Sequence, residues 1–322
     1  MRLILSTIAL CLLFLGWVPP AAAQGAPIRI IVPFAPGGLL DALARALGVQ
    51  LRALTGETYI IENKPGASTA IGMRECAMAK PDGRTFCATL ADSLSFNPHA
   101  FANLPYDPEK FVGVAHLGSG TGVIFAHSGA GFTSYKDVLD AAKQKPGQIF
   151  LATYGDASRP DIVRRWTNLK SHVEIAGVPY KGAGPANQAL VAGEVQLGYM
   201  GVGQAKDFVA SGMIRPLAIV GKTRLPVYPS VPSLGELGLD MDLPSYFGLY
   251  APPGTPPDVV NRMHGMVQKA IESDALKKFA EIHAHTWVHM SQPEFEQFVR
   301  NDRRQAGEVF KGLGIKPGVI PQ

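Results

Sequence analysis

The chain has 322 residues, 30 basic against 26 acidic side chains and 47% hydrophobic residues, enough for two domains of ordinary size. Its formal charge of +4 comes without any run of five like charges, which argues against a nucleic-acid binder, since that calls for a clustered basic stripe with interleaved aromatics. The weak positive bias suits an anionic small solute.

Residues 1–23 read as a secretory signal peptide, with Arg2 as the positive end, an apolar run over 3–18, and Ala21-Ala22-Ala23 as the small-residue cleavage site. That run is too short to span a bilayer, and no later stretch approaches 18 consecutive apolar residues. Cys11 follows Leu10 rather than a small residue, so cleavage after Ala23 is favoured over a lipid anchor. The expected product is an exported, periplasmic protein with 29 basic and 26 acidic side chains, a charge of +3. Its two cysteines, Cys76 and Cys87, stand eleven residues apart. In an oxidising compartment they could pair, and they could equally pack as two separate buried thiols.

The first third alternates strands (28–32, 59–62, 85–90) with helical patterns (39–54, 70–79). Such βαβ alternation predicts a mainly parallel sheet, with ligands outside the carboxyl ends of its strands. The loops 33–38, 63–68 and 91–98 therefore converge on one edge. A Gly-punctuated stretch at 112–126 leads to a second βα series. Its helices are predicted at 135–144, 161–169, 186–192 and 205–211, and its strands at 149–153, 174–179, 195–199 and 217–220. A Pro-studded connector at 226–232 precedes a strand at 246–251 and helices at 256–273, 275–283 and 292–310.

Catalytic patterns are missing. Gly66-Ala-Ser-Thr-Ala70 lacks the final glycine of a nucleophile elbow, Pro216 stands where a phosphate loop ending in Gly221-Lys-Thr223 needs its first glycine, and no G-x-G-x-x-G occurs. His283, His285 and His289 cluster without zinc-ligand spacing and read as surface and packing residues. No enzyme activity, cofactor or metal is expected.

The loops make better sense as a binding site. Pro36 stiffens the first, while Gly37 and Gly38 allow close backbone approach where the next helix presents unpaired N–H groups to an anion. Gly66, Ala67, Ser68 and Thr69 form a second loop, in which Ser68 or Thr69 would also serve as a helix cap. Tyr154, Gly155, Asp156, Ala157 and Ser158 form a third, and Pro179, Tyr180 and Lys181 open a fourth that runs to Gly184.

An ordered series of short motifs runs through the mature chain. It comprises Pro33-Phe-x-Pro-Gly-Gly-x-x-Asp-x-x-Ala-Arg45, Glu62-Asn-Lys-Pro-Gly-Ala67, Ile71-Gly72, Pro81-Asp-Gly83, Asn97-Pro98, Leu104-Pro-Tyr-Asp-Pro108, Val178-Pro-Tyr-Lys-Gly182, Val231-Pro-Ser233, Ala251-Pro-x-Gly-Thr-Pro256 and Gly314-Ile-Lys316. The series resembles the Bug family, the periplasmic solute-binding receptors of tripartite tricarboxylate transporters. The resemblance implies an α/β, two-domain, type II clamshell that works as a monomer. Domain I would hold 24–124 and 221–322, and domain II 125–220. It also implies a small carboxylate in the cleft, held largely by main-chain groups and ordered water, and delivery to membrane transporter subunits. A ligand-binding adaptor for a membrane sensor is the alternative.

By position, the resemblance assigns the ligand to Pro36, Gly37, Gly38, Leu40 and Asp41, to Gly66 through Thr69, and to Asn97 nearby. Residues Tyr154 to Ser158, Pro179 to Gly182 and Met200 would face them from the other domain. Asp41 is expected to brace its helix rather than meet an anion. Departures from the family pattern fall at the cleft: Ser68-Thr69 replace two glycines, Met200 a common aspartate and Tyr246 a common tryptophan. A shortened third loop also brings Asp156 and Arg159 to the rim.

Overall fold

The computed structural model describes residues 26–239, 241 and 243–320. The expected signal segment lies outside them. The first unit opens with β1 (Ile28–Val32), α1 (Leu39–Thr55), β2 (Tyr59–Asn63), α2 (Ala70–Ala77) and β3 (Thr85–Leu90). A single π-helical turn over Asp92–Phe96 leads into the short α3 (Asn97–Ala100), and β4 (Val112–His116) follows. After β5 (Ser119–Gly120) the second unit runs β6 (Gly122–His127), α4 (Tyr135–Gln144), β7 (Ile149–Thr153), α5 (Arg159–Ser171), β8 (Ile175–Pro179) and α6 (Ala183–Ala192). It ends with β9 (Leu197–Gly201), α7 (Val202–Ala210) and β10 (Ile214–Ile219). The chain then returns to β11 (Phe247–Ala251), α8 (Pro257–Ile271), α9 (Asp274–His283), β12 (His285–Thr286) and α10 (Gln292–Gly312).

Two five-stranded sheets result, ordered β2-β1-β3-β11-β4 and β10-β6-β9-β7-β8. Both are mixed rather than mainly parallel. In the first, β1 pairs parallel with β2 and β3, while β11 lies antiparallel to both β3 and β4. In the second, β7 pairs parallel with β8 and β9, while β6 is antiparallel to β9 and β10. Local βαβ alternation sets the parallel half of each sheet, and strands brought in from distant sequence set the rest.

Helix α1 shows how the apolar pattern positions the site. Leu40, Leu43, Leu47 and Leu51 recur at helical spacing, are buried, and pack with Ile30 and Val32 of β1. The helix stops at Gly56, whose φ of +73° closes it in the left-handed conformation. Its first turn is thereby fixed at the carboxyl end of β1. Cys76 of α2 and Cys87 of β3 are joined in a disulfide with their Cα atoms 6.3 Å apart, and both are fully buried. Of the two readings left open by the sequence, pairing is the one the fold adopts.

Several expected elements shift: α6, α7 and β10 each begin three residues before the expected 186, 205 and 217, and β9 begins at Leu197 rather than at 195. The stretch 91–98, expected to be a loop, is helical. Its polar residues are buried but satisfied: Ser93 pairs with Thr89 at 2.5 Å and donates to Thr69 at 2.9 Å, and Tyr106 donates to the Ser93 carbonyl at 2.6 Å. Helix α5 begins at Arg159, two residues early, because Pro160 suits the first turn. Among the described residues no helix is long and apolar enough to cross a membrane.

Candidate functional site

The carboxyl ends of both sheets face one another, and their loops touch. Ala35 N–H donates to the Lys181 carbonyl at 3.1 Å, Gln204 Nε2 to the Gly37 carbonyl at 2.8 Å, and Ser68 Oγ to the Asp156 carbonyl at 3.2 Å. Gly37 has φ +93°, and a Cβ there would stand 3.5 Å from the Gly184 Cα, so the first and fourth loops meet backbone to backbone.

Five helices start at this closed cleft, and their N-termini share one property. Gly38 of α1, Thr69 of α2, Ser158 of α5, Gly182 of α6 and Gly201 of α7 are N-cap residues, and none supplies a side-chain capping bond. Away from the cleft, Ser134, Ser273 and Ser291 cap α4, α9 and α10 in the ordinary way. First-turn N–H groups and the positive ends of several helix dipoles are thus directed at one place.

The cleft holds two adjoining cavities that share Phe34 and Tyr154 as walls. The outer one, about 170 Å³, is lined by Gly66, Ala67, Ser68, Thr69, Gly155, Pro179, Tyr180 and Lys181 as expected. The inner one, about 70 Å³, takes Gly38, Leu40 and Asp41 from the expected set. It also takes Asp92, Arg159, Tyr199, Gln204, Ser245 and Tyr246, which were not assigned to the ligand from sequence. Asp92 is the only carboxylate in the 91–98 stretch, and a carboxylate following a strand at a ligand-facing edge was the available signal.

The remaining expected residues line neither cavity. Pro36 and Gly37 form the rim of the first loop. Asp156 is exposed and contributes its carbonyl to Ser68, while Ala157 and Ser158 are buried in the turn that starts α5. Ser158 Oγ bonds to Tyr154 N–H and the Gly155 carbonyl, which leaves it unable to cap. Asn97 sits behind the second loop, donating to the Ser68 carbonyl at 2.7 Å and to Thr69 Oγ1 at 3.0 Å. Met200 is fully buried in β9 and packs into the second unit's core.

The second loop departs from the expected cap. Ala67, Ser68 and Thr69 all have positive φ, at 48°, 47° and 76°. Three consecutive non-glycine residues in the left-handed region are costly for L-residues. Here they keep a backbone path that glycine would follow freely. The loop is held by its neighbours: Thr69 Oγ1 accepts from Ser93 and Asn97, and Ser68 Oγ reaches across the cleft.

Asp41 braces the first loop as expected. Burial pushes its carboxyl up, but Arg45 at 2.9 Å, Gly37 N–H at 3.1 Å and Asn63 at 3.0 Å outweigh that and hold it below the usual carboxylate range. Tyr154 donates to the Tyr199 carbonyl at 2.7 Å, and burial raises its hydroxyl well above the ordinary value, so it is a neutral wall. Arg159 is held across the cleft by the carbonyls of Leu243, at 3.2 Å, and Pro244, with its guanidinium 5.2 Å from the centre of the Phe96 ring. The histidines lie apart from the cleft walls. His285 is buried against the Leu117 carbonyl, His283 stacks on Phe279, and His289 is exposed beside Glu272.

Solved structures share this fold. A periplasmic binding protein, BugD, superposes with a TM-score of 0.85 at 26% identity, covering 91% of this chain and 99% of its own. The R. palustris protein Rpa4515, determined with adipate, superposes at 0.84 with 27% identity, covering 91% and 98%. Protein BugT of Bordetella pertussis is 28% identical over 326 residues, 98% of this chain and 99% of its own length. Residues 43–315 match the model of the tripartite tricarboxylate transporter family receptors, and the chain belongs to that family.

Proposed function

We infer that this protein is a periplasmic receptor that closes around one small carboxylate and presents it to the membrane subunits of a tripartite transporter. The reading takes domain I as 24–124 with 221–322 and domain II as 125–220, hinged where the chain passes between the sheets. The observation that carries it is the convergence of five helix N-termini without side-chain caps of their own on one two-chambered cleft. Such a site binds an anion through backbone N–H groups and needs no cationic side chain. Adipate in the R. palustris relative supports a carboxylate as the class of ligand. Loops from both domains would contribute, so the ligand favours the closed form by its differential contacts.

A thermal-shift screen of the mature protein against small carboxylates and neutral solutes tests this. A carboxylate at about 100 times its Kd adds roughly 2.7 kcal/mol of apparent stability, and Gly37→Val should abolish the shift. Shifts from neutral solutes alone would overturn the carboxylate reading.

A further inference from the structure

Helix α2 buries Ala70, Gly72, Met73 and Cys76, and turns Ile71, Arg74 and, just past its end, Met78 to the outside. Those three stand at i, i+3 and i+7, a single stripe of the helix. Ile71 is 53% and Met78 73% exposed, where an outward stripe is ordinarily polar. The stripe lines a groove of about 980 Å³ together with Asn103, Pro105 and Ile320. Beside it Arg29 and Lys64 pair with Glu62 and Glu75, so those four charges cancel. Arg74 is left as the uncompensated charge of the lining, its guanidinium without hydrogen bond or ion pair among the described residues.

The groove backs onto the cleft. Ala67 lines both the groove and the outer cavity, and Ile71 Cδ1 lies over Gly66, 2.7 Å from where a Cβ on that glycine would stand. Ser68 of the same loop reaches the Asp156 carbonyl of the second unit, a bond that opening the cleft would break.

We propose that this groove is the docking surface for a periplasmic segment of the transporter's membrane subunit, one that sets a carboxylate against Arg74 and an apolar side chain between Ile71 and Met78. The inference rests on the receptor reading above and adds to it the face by which the receptor is recognised. Arginine among apolar side chains is the composition of an interface centre, and methionine adapts to the shape it meets. A basic segment would meet an uncompensated positive charge, and a wholly apolar one would bury Arg74 unpaired. Because the loop through Ala67 and Ser68 divides groove from cavity, a segment seated here would distinguish the closed receptor from the open one.

Photocrosslinking in the native host tests the surface, with benzoylphenylalanine in place of Met78 or, for comparison, of the exposed Leu169 on α5, and adducts identified by mass. The expected result is an adduct from position 78 to a membrane subunit of the transporter, and none from 169. Arg74→Glu should reduce its yield about tenfold, and Arg74→Gln, which only removes the charge, should also lower it. Both variants should keep the carboxylate-induced thermal shift, since Arg74 lines neither cleft cavity. No adduct from position 78, adducts joining two receptors, or transporter adducts from 169 alone overturn the docking surface and leave the receptor reading intact. A yield unchanged in both Arg74 variants overturns the acidic partner. Adducts with a membrane sensor in place of a transporter subunit overturn both readings.

Discussion

Arg159 and Asp92 are 67 residues apart in sequence and belong to different units, yet the backbone N–H of one donates to the carboxylate of the other at 2.9 Å. A helix cap is ordinarily supplied by the residue next to it. Here closing the cleft completes the cap, so the stability of α5 and the position of the two units are linked.

Removing that carboxylate should be measurable in the protein without ligand. Asp92→Ala leaves α5 uncapped in the closed form and is expected to cost about 1 kcal/mol, the usual value of a cap. Small-angle scattering should show a larger radius of gyration for the variant. An unchanged radius and an unchanged midpoint in urea would show that the contact does not hold the cleft.

The strained second loop predicts a gain. Ala67 has φ +48°, and its methyl group lies in a conformation that glycine adopts without penalty. Ala67→Gly should raise stability by about 1 kcal/mol, since left-handed backbone costs an L-residue roughly 1–2 kcal/mol and glycine's greater unfolded-state freedom offsets part of that. A lower melting temperature would mean that contacts of the Ala67 side chain outweigh its backbone strain.

Acid should weaken the fold, although three buried groups pull in two directions. Burial lowers His116 and His285 from 6.5 to about 4, so the unfolded chain binds more protons than the native one between those values and stability falls on acidification. Each contributes a loss of about 3 kcal/mol across that window. Asp302 acts oppositely. It is 1% exposed, neither carboxylate oxygen has a hydrogen-bond partner among the described residues, and burial pushes it from 3.8 up to about 6. The native state then holds the extra proton, so its contribution of about 3 kcal/mol is gained as pH falls through that range. Asp92, raised by burial, adds to the gain, while His283, lowered by burial, and Asp41 and Glu62, held down by their partners, add to the loss. The losses outnumber the gains, and urea midpoints should fall from about pH 7 to about pH 4. Asp302→Asn should raise the midpoint near neutral pH and steepen the acid loss. A flat profile in the wild type would refute the histidine assignment.

The Cys76–Cys87 bridge closes a short loop between α2 and β3. Chain-entropy reasoning gives about 3 kcal/mol for a loop of this size. Replacing both cysteines by alanine should lower the melting temperature while leaving ligand affinity unchanged, because neither residue lines the cleft cavities. Lost affinity with intact folding would contradict that separation.

Much of this was readable in the amino-acid order. The strand, loop and helix around Pro33-Phe-Ala-Pro-Gly-Gly38 follow from local apolar periodicity and glycine, and the structure places them as expected. The loops holding residues 66–69 and 179–181, read as converging because glycine-bearing loops follow the strands, both line the outer cavity. What escaped depends on contacts distant in sequence. The π-helical turn at Asp92 requires partners from Thr69, Tyr106 and Arg159. The left-handed path through Ala67 and Ser68 carries no glycine to announce it, and the antiparallel half of each sheet pairs β6 with β9 and β10, and β11 with β3 and β4, across long sequence separations.

The placement of β11 bears on how the molecule is made. The second sheet uses only strands within residues 122–219, whereas the first seats Phe247–Ala251 between β3 and β4. During synthesis the inner unit can close on itself as soon as its last strand emerges, while β3 and β4 wait more than 130 residues for the strand that joins them. Pairings of such separation form late. The amino-terminal half of the first unit is therefore the segment left open longest, with its unpaired strand edges available to chaperones or to aggregation until the carboxyl-terminal quarter arrives.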